Sequence, residues 1–324
     1  MSPVPMTTQS STLTCYNARR EQFHAIAHSM HVIILLPIYN EALGLAHTLD
    51  ELHQILDSHG LRYTIVAVDD GSDDATPVIL HAYAARLPLM TITHPLNRGL
   101  GETIRDGLER AVSLAEELDE EAVIIRMDAD HSHDPSSIPQ MLARIAEGYD
   151  VVVASRFAPG GQERGVPAFR RLLSRTANLM MRLCVPIPGV RDYATGFRAY
   201  RASVIRAALY VYRNDFMELK GWGFTSTVEK LLKLQRLGAR MTEIPIVLRY
   251  DLKRSSSKMP IAATILGYGM LLLKHLFWFG GATTRWAERV AELKHDETWN
   301  HRAQGHEAWA PQVGSPQRTV HMKR

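Results

Sequence analysis

Five short apolar runs, each followed by a polar stretch and then by helical periodicity, limit this chain more than any other feature. "HVIILLPIYN", and Val32 to Ile38 in particular, is stopped by Pro37 and Asn40 and reads as a strand buried on both faces. Leu45, Leu49, Leu52 and Leu56 then recur at helical spacing until Gly60 ends the helix. "YTIVAVDD" with a helix from Ala75 to about Arg86, "LMTITH" with a helix from near Leu100, and "AVIIRMD" with a helix from Ser136 to Glu147 repeat the unit, and "DVVVAS" closes it. Strands separated by such helices demand right-handed crossovers, so the expected class is α/β with a mainly parallel sheet flanked by helices.

In sheets of this kind ligands bind outside the carboxyl ends of the strands, where successive loops converge. The chemically rich stretches fall there: "PIYNE", "DDGSDDAT", "HPLNRGLG", "DADHSHDP" and "SRF" follow the five strands in turn. The opposite loops, around "HGLRY" and "EGYD", are short and plain.

A chain of 324 residues with 46% hydrophobic residues can bury a full core. Cys15 and Cys184 lie far apart and neither belongs to a C-x-x-C pair, which argues against a disulfide framework or a thiolate zinc site and fits a reducing cytoplasm. The first thirty residues lack an apolar h-region, so no signal peptide is expected. A formal charge of +3 is too small for a dedicated nucleic-acid binder, yet ten arginines between Arg156 and Arg206 face only Glu163 and Asp192. Either a local anion site or a solvated basic face would account for them.

The second half is less regular. Helices are expected at Arg170 to Leu183 and Thr225 to Leu237, then a strand "ARMTEIPIVLRY" and a basic segment "DLKRSSSK". Ile261 to Leu273 is uncharged, but as a helix it would span only about 20 Å before Lys274 and His275 interrupt it. A helix lying in the membrane interface is expected over Pro260 to Gly281, with a core helix and a membrane span as the alternatives. Residues 1–29 and 283–324 read as polar, disordered tails around a catalytic domain of residues 30–250 and a basic segment plus acceptor helix at 251–282.

In "MDADHSHDP", Asp128 and Asp130 stand two apart at a strand end, so in extended backbone both carboxylates project to the same side. Carboxylates so placed repel unless a cation lies between them, and hard oxygen ligands suit Mg²⁺ or Mn²⁺. The plainer reading is a turn capping the next helix, a task Asp134 could perform alone. His131 and His133 are read as loop residues before ligands. Asp69 and Asp70 end the second strand, where an acidic residue is well placed to bind the ribose or base of a nucleotide, though turn formation explains some of the same residues. No G-x-G-x-x-G follows the first strand and no P-loop occurs, which argues against a nicotinamide enzyme and a P-loop NTPase.

"LPIYNE", "VDDGSDDAT", "NRGLG", "MDADHSHDP", "SRF", "DYATGFRAY" and "RYDLKRSSSKM" stand in the order and approximate spacing of family 2 glycosyltransferases. The set most resembles dolichyl- or polyprenyl-phosphate mannosyltransferases, over roughly Met30 to His275. The resemblance implies a GT-A fold, a nucleotide-sugar donor, a polyprenyl or dolichyl phosphate acceptor, and Mg²⁺ or Mn²⁺ held by Asp128 and Asp130. It places Pro37, Tyr39, Glu41, Asp69 and Asp70, with Asp128, around the nucleotide. Arg156, Arg170 and Ser174 match residues expected to contact the donor and acceptor phosphates. Arg249 and Lys258 match a later basic motif, but the family's shorter R-x-x-G-x-S-K is here a longer run without glycine, leaving Arg249 and Arg254 as rival occupants of the arginine role. Glu229 matches an acidic position, for orienting arginines or sugar hydroxyls, or for an ion pair.

The expected activity is therefore inverting, metal-dependent transfer of a sugar, mannose from GDP-mannose first, to a polyprenyl phosphate at the cytoplasmic face of a membrane. Transfer of glucose or N-acetylglucosamine from a UDP-sugar, and a non-catalytic nucleotide-sugar-binding protein, are the alternatives. An acceptor that is already anionic needs positioning more than deprotonation, which agrees with a site rich in arginine. If Arg156 and Arg170 face substrate, neither should matter much to stability.

Overall fold

The computed structural model describes residues 30–219, 225–253, 261–279 and 291–293. Residues 1–29, Arg254, Lys258 and nearly all of 283–324 lie outside these, so the expectations that fall on them are not addressed.

The first half follows the expected rhythm. It runs β1 (His31–Ile38), α1 (Ala42–Ser58), β2 (Tyr63–Asp69), α2 (Thr76–Ala84), β3 (Leu89–Thr93), α3 (Leu100–Leu118), β4 (Ala122–Arg126), a 3₁₀ turn at Pro135–Ser137, α4 (Ile138–Ala146) and β5 (Val151–Ser155). Then come β6 (Gln162–Arg164), α5 (Ala168–Cys184), β7 (Arg198–Arg201), α6 (Ala202–Tyr212), α7 (Thr225–Arg236), β8 (Met241–Pro245), β9 (Val247–Arg249) and α8 (Ile261–Phe279). Seven strands form one sheet in the order β3-β2-β1-β4-β7-β5-β8, and β6 pairs with β9 in a second.

Alternation sends successive side chains of β1 to opposite faces, and both faces are covered. Ile33 and Leu35 join a core with Ile104, Leu108 and Val211 of α3 and α6. Val32, Ile34 and Leu36 join the other core with Leu45, Leu49 and Leu52 of α1 and Met141 of α4. Burying each such side chain stabilises the fold by about 1.5–3 kcal/mol.

Two features depart from the expected layout. β7 runs antiparallel to both β4 and β5, within an otherwise parallel sheet. Asp192, just ahead of β7, receives the Arg156 amide at the carboxyl end of β5, and a strand entering from that end must run backwards. The single strand expected from "ARMTEIPIVLRY" divides at Ile246: β8 extends the large sheet beside β5, and β9 leaves to pair with β6. Pro245, which has no N–H to donate, ends the first part.

Candidate active site

The first two loops are stitched to each other. Asn40, at φ 50, donates through Nδ2 to Asp73 Oδ1 at 2.6 Å and accepts the Asp73 amide at 2.9 Å, while its own amide donates to Ser72 Oγ. The Glu41 amide donates to Thr76 Oγ1 at 3.0 Å, and that of Ala42 to Asp74 Oδ2 at 3.1 Å. Pro37 is buried in β1 beside Val68, and Tyr39 is half-buried just beyond the strand. Asp69 accepts the Ser72 amide, closing the turn the residues suggested. Gly71 is required there: its φ is +72, and a Cβ would meet the Leu96 carbonyl carbon at 2.6 Å.

Asp70, expected at the nucleotide, has both oxygens engaged by the third loop. Oδ1 meets His94 Nδ1 at 2.6 Å and accepts the Arg98 amide at 2.9 Å, and Oδ2 accepts the Gly99 amide at 2.8 Å. Its carboxylate holds "NRGLG" in place.

Asp128 and Asp130 both line one cavity of about 210 Å³. Behind Asp128 lies Arg126, 1% exposed, with Nη2 at 2.6 Å from Asp128 Oδ1. Gly196 covers that guanidinium so closely that a Cβ would meet Arg126 Nη1 at 1.2 Å. Asp130 Oδ1 accepts from the amide of Ser132 at 3.0 Å, and Oδ2 is in contact with Lys253 Nζ. Burial works to raise the Asp130 carboxyl, but the Lys253 ammonium, His133 and Ser132 together hold it below the ordinary carboxylate range. Asp134 caps the following turn by accepting the Ser136 amide at 2.8 Å, so capping is met without the other two aspartates.

The two histidines separate. His131, at φ 64, turns away to Glu51 at 2.9 Å and stacks on His47. His133 turns inward, stacks on Phe197 at 5.1 Å, and accepts the Asp128 amide at Nδ1. An accepting Nδ1 puts the ring proton on Nε2, and burial lowers the imidazole's pKa in keeping with that neutral form.

Arg156 borders the same cavity, but its guanidinium does not stand free for phosphate. Nε and Nη2 donate to the two oxygens of Asp192, each at 2.7 Å, and Nη1 reaches Glu163 at 3.2 Å. Burial lowers the Asp192–Arg156 pair's tendency to stay charged, yet mutual attraction prevails: Arg156 is raised and Asp192 is held below its ordinary value.

Arg170 and Ser174 reach the cavity from one face of α5, one turn apart. Arg170 Nη1 donates to the Tyr250 hydroxyl at 2.9 Å. Among the described residues of the late basic segment, Tyr250 and Lys253 line the cavity, whereas Arg249 pairs with Asp251 at 2.9 Å outside it. Glu229 is also away from it: it accepts the amides of Glu218 and Leu219 and the Lys233 ammonium, at 3.1, 2.9 and 2.6 Å. This is the ion-pair alternative. Thr264 and Tyr268 of α8 complete the wall, and burial pushes the Tyr268 phenol up to about 12. The sequence motifs do not single out Lys253, Tyr250, Arg126 or Tyr268. For Lys253 and Tyr250 a signal exists in the basic run "RYDLKRSSSK" itself.

Acidic loops at the carboxyl ends of a mainly parallel sheet, opening on a cavity that arginine and lysine also line, define a GT-A fold. The chain belongs to glycosyl transferase family 2, whose model matches residues 33–209. It is 30% identical over 269 residues to the undecaprenyl-phosphate mannosyltransferase of Micrococcus luteus, covering 82% of this chain and 99% of that one. It is 29% identical to the dolichol-phosphate mannosyltransferase of Pyrococcus furiosus, over 78% of this chain and 65% of that longer one. An undecaprenyl-phosphate 4-deoxy-4-formamido-L-arabinose transferase of Pseudomonas aeruginosa is 32% identical over 194 residues, which is 60% of this chain and 54% of that one. Among solved structures, glucosyl-3-phosphoglycerate synthase from Mycobacterium tuberculosis, in complex with Mn²⁺, UDP and phosphoglyceric acid, superposes with a TM-score of 0.54 at 17% identity. That match covers 78% of this chain and 80% of the synthase, and it speaks for the fold. The protein is a glycosyltransferase.

Proposed function

We propose that this glycosyltransferase moves mannose from GDP-mannose to the phosphate of a polyprenol, with inversion, aided by Mg²⁺ or Mn²⁺ and at a membrane surface. The observation that carries this is one cavity lined by Asp128 and Asp130 together with Arg170, Ser174, Tyr250 and Lys253. Carboxylates, a guanidinium, an ammonium and hydroxyls around one space suit a nucleotide sugar meeting an anionic acceptor. The names of the mannosyltransferase relatives supply the sugar and the acceptor class.

Asp128 and Asp130 would hold the metal: both are carboxylates in one cavity, and Asp130 already takes a cation, the Lys253 ammonium. When bound, the metal would neutralise charge growing on the departing nucleoside diphosphate. The protein's own contribution is positioning. Arg170 offers a guanidinium on which an acceptor phosphate can be held, in a cavity that α5 and α8 both line.

Access from a membrane suits α5. Phe169, Leu172, Leu179 and Leu183 stand 69%, 66%, 54% and 75% exposed along one stripe, bordered by the exposed Arg175 and Arg182, while the opposite face carries Arg170 and Ser174 into the cavity. An apolar stripe edged with arginine is the pattern of a helix lying on anionic lipid. On α8, Leu266, Met270 and Leu273 are exposed as well, and among the described residues no helix is long and apolar enough to cross a membrane.

A different sugar on the same acceptor is the second reading, favoured by the deoxy-formamido-arabinose transferase relative. The test is to incubate the purified chain with Mg²⁺ or Mn²⁺, polyprenyl phosphate and a panel of labelled nucleotide sugars, and to follow label into the organic phase. Mannose label from GDP-mannose supports the first reading. Label from another donor selects the second, and no label from any donor overturns both.

A further inference from the structure

Resting on the reading of Asp128 and Asp130 as the metal-holding pair, we propose that Lys253 is the resident counter-cation of that pair, displaced when the divalent ion binds and then free to take an anionic phosphate in the same cavity. Lys253 reaches Asp130 from a separate part of the chain. It follows β9 in a turn closed by the Leu252 amide on the Arg249 carbonyl at 3.0 Å and the Lys253 amide on the Tyr250 carbonyl at 3.3 Å. Its side chain is 13% exposed and its ammonium rests on Asp130 Oδ2, with Asp128 and Glu41 adding to the negative field it sits in.

Asp128 has the Arg126 guanidinium, but the buried Asp130 carboxylate would be unfavourable without a cation of its own, and an ammonium on a flexible stem is a reversible way to supply one. An ammonium and a divalent ion compete for Asp130 Oδ2, because the two cations repel at contact distance. On this proposal the metal wins that competition and moves Lys253, whose flexible stem leaves its Nζ within reach of the cavity it already lines.

Where it moves matters because, among the described residues, the other cations in and behind the cavity wall are not equally available. Arg156 is held by Asp192 and Glu163, and Arg126 by Asp128. Arg170 contacts a neutral phenol, Tyr250, in the same stretch that carries Lys253. Release of Lys253 beside Arg170 would add a second cation for phosphate only when the metal is in place. The consequence is an order of events: metal first, anionic acceptor second.

The test uses the full chain without nucleotide and titrates Mn²⁺ by electron paramagnetic resonance. Lys253→Gln is expected to bind Mn²⁺ about tenfold more tightly than wild type, a coupling of ordinary size, and Lys253→Arg, which retains a competing cation, to stay near wild type. Asp130→Asn is expected to lose the site. If Asp130→Asn loses Mn²⁺ while Lys253→Gln binds it no more tightly than wild type, the exchange is wrong and the metal reading stands. If Asp130→Asn binds Mn²⁺ as wild type does, both fall. A second arm measures binding of a short-chain prenyl phosphate. With saturating Mn²⁺ the Gln variant is expected to bind it about tenfold more weakly than wild type, and without Mn²⁺ equally. Equal binding in both conditions would overturn the phosphate role of the released ammonium.

Discussion

Arg156 and Arg170 belong to the same basic stretch, and their surroundings give them different tasks. Arg170 has a hydroxyl for its partner and faces open cavity, so Arg170→Ala is expected to lower turnover at least about tenfold, about 1.4 kcal/mol of transition-state stabilisation, with little change in melting temperature. A large fall in melting temperature with unchanged specific activity of the folded fraction would make it structural instead. Arg156 is clamped by Asp192, which is wholly buried, so Asp192→Asn leaves a buried guanidinium short of a charge and is expected to cost about 3–5 kcal/mol in urea unfolding. The pH dependence has a definite sign. Asp192 is depressed in the folded state, so its contribution is present above the unfolded value of about 3.9 and is lost as pH falls through the folded one. Wild type and Asp192→Asn should therefore converge in stability under acid, which pH-jump melts can measure.

Among the elements, α5 does two jobs on two faces. Its inner face delivers Arg170, Leu173, Ser174 and Ala177 to the cavity, and its outer face presents the apolar stripe. Because Leu172 and Leu179 are more than half exposed, the double change Leu172→Glu with Leu179→Glu is expected to leave the melting temperature within a degree or two and to reduce flotation with anionic liposomes. Unchanged flotation would remove α5 as a membrane contact. Its periodicity was readable in the residues, but its orientation was not, since phenylalanine and leucine at these positions would equally suit a helix buried on both sides.

At the scale of the whole molecule, α8 is both a wall of the site and part of the fold. Tyr268 and Leu271 are buried and join the core shared by α3, α6 and α7, while Thr264 and Tyr268 line the cavity. Ending the chain at Met259 is accordingly expected to lower the melting temperature as well as to raise the KM for long polyprenyl phosphates. A truncated protein that melts like wild type and shows only the KM effect would return α8 to a purely peripheral role.

The parallel half of the sheet, β1 to β5 with the helices between them, was legible in the sequence because each element is short, local and strongly periodic. The loops at the strand ends were legible for the same reason: their chemistry sits directly after an apolar run, and the position of a strand end in an α/β sheet is a matter of topology. From the seven motifs between "LPIYNE" and "RYDLKRSSSKM", taken in order, the family could be read. What only the tertiary structure decided was partnership. Asp70 turns to its neighbouring loop, Arg156 to Asp192, Glu229 to Lys233 and Lys253 to Asp130, contacts that span from four to more than a hundred positions in the chain. Residue type tells what a side chain can bind. Which opposite charge reaches it first, once water is gone, depends on distances that exist only when the chain has folded.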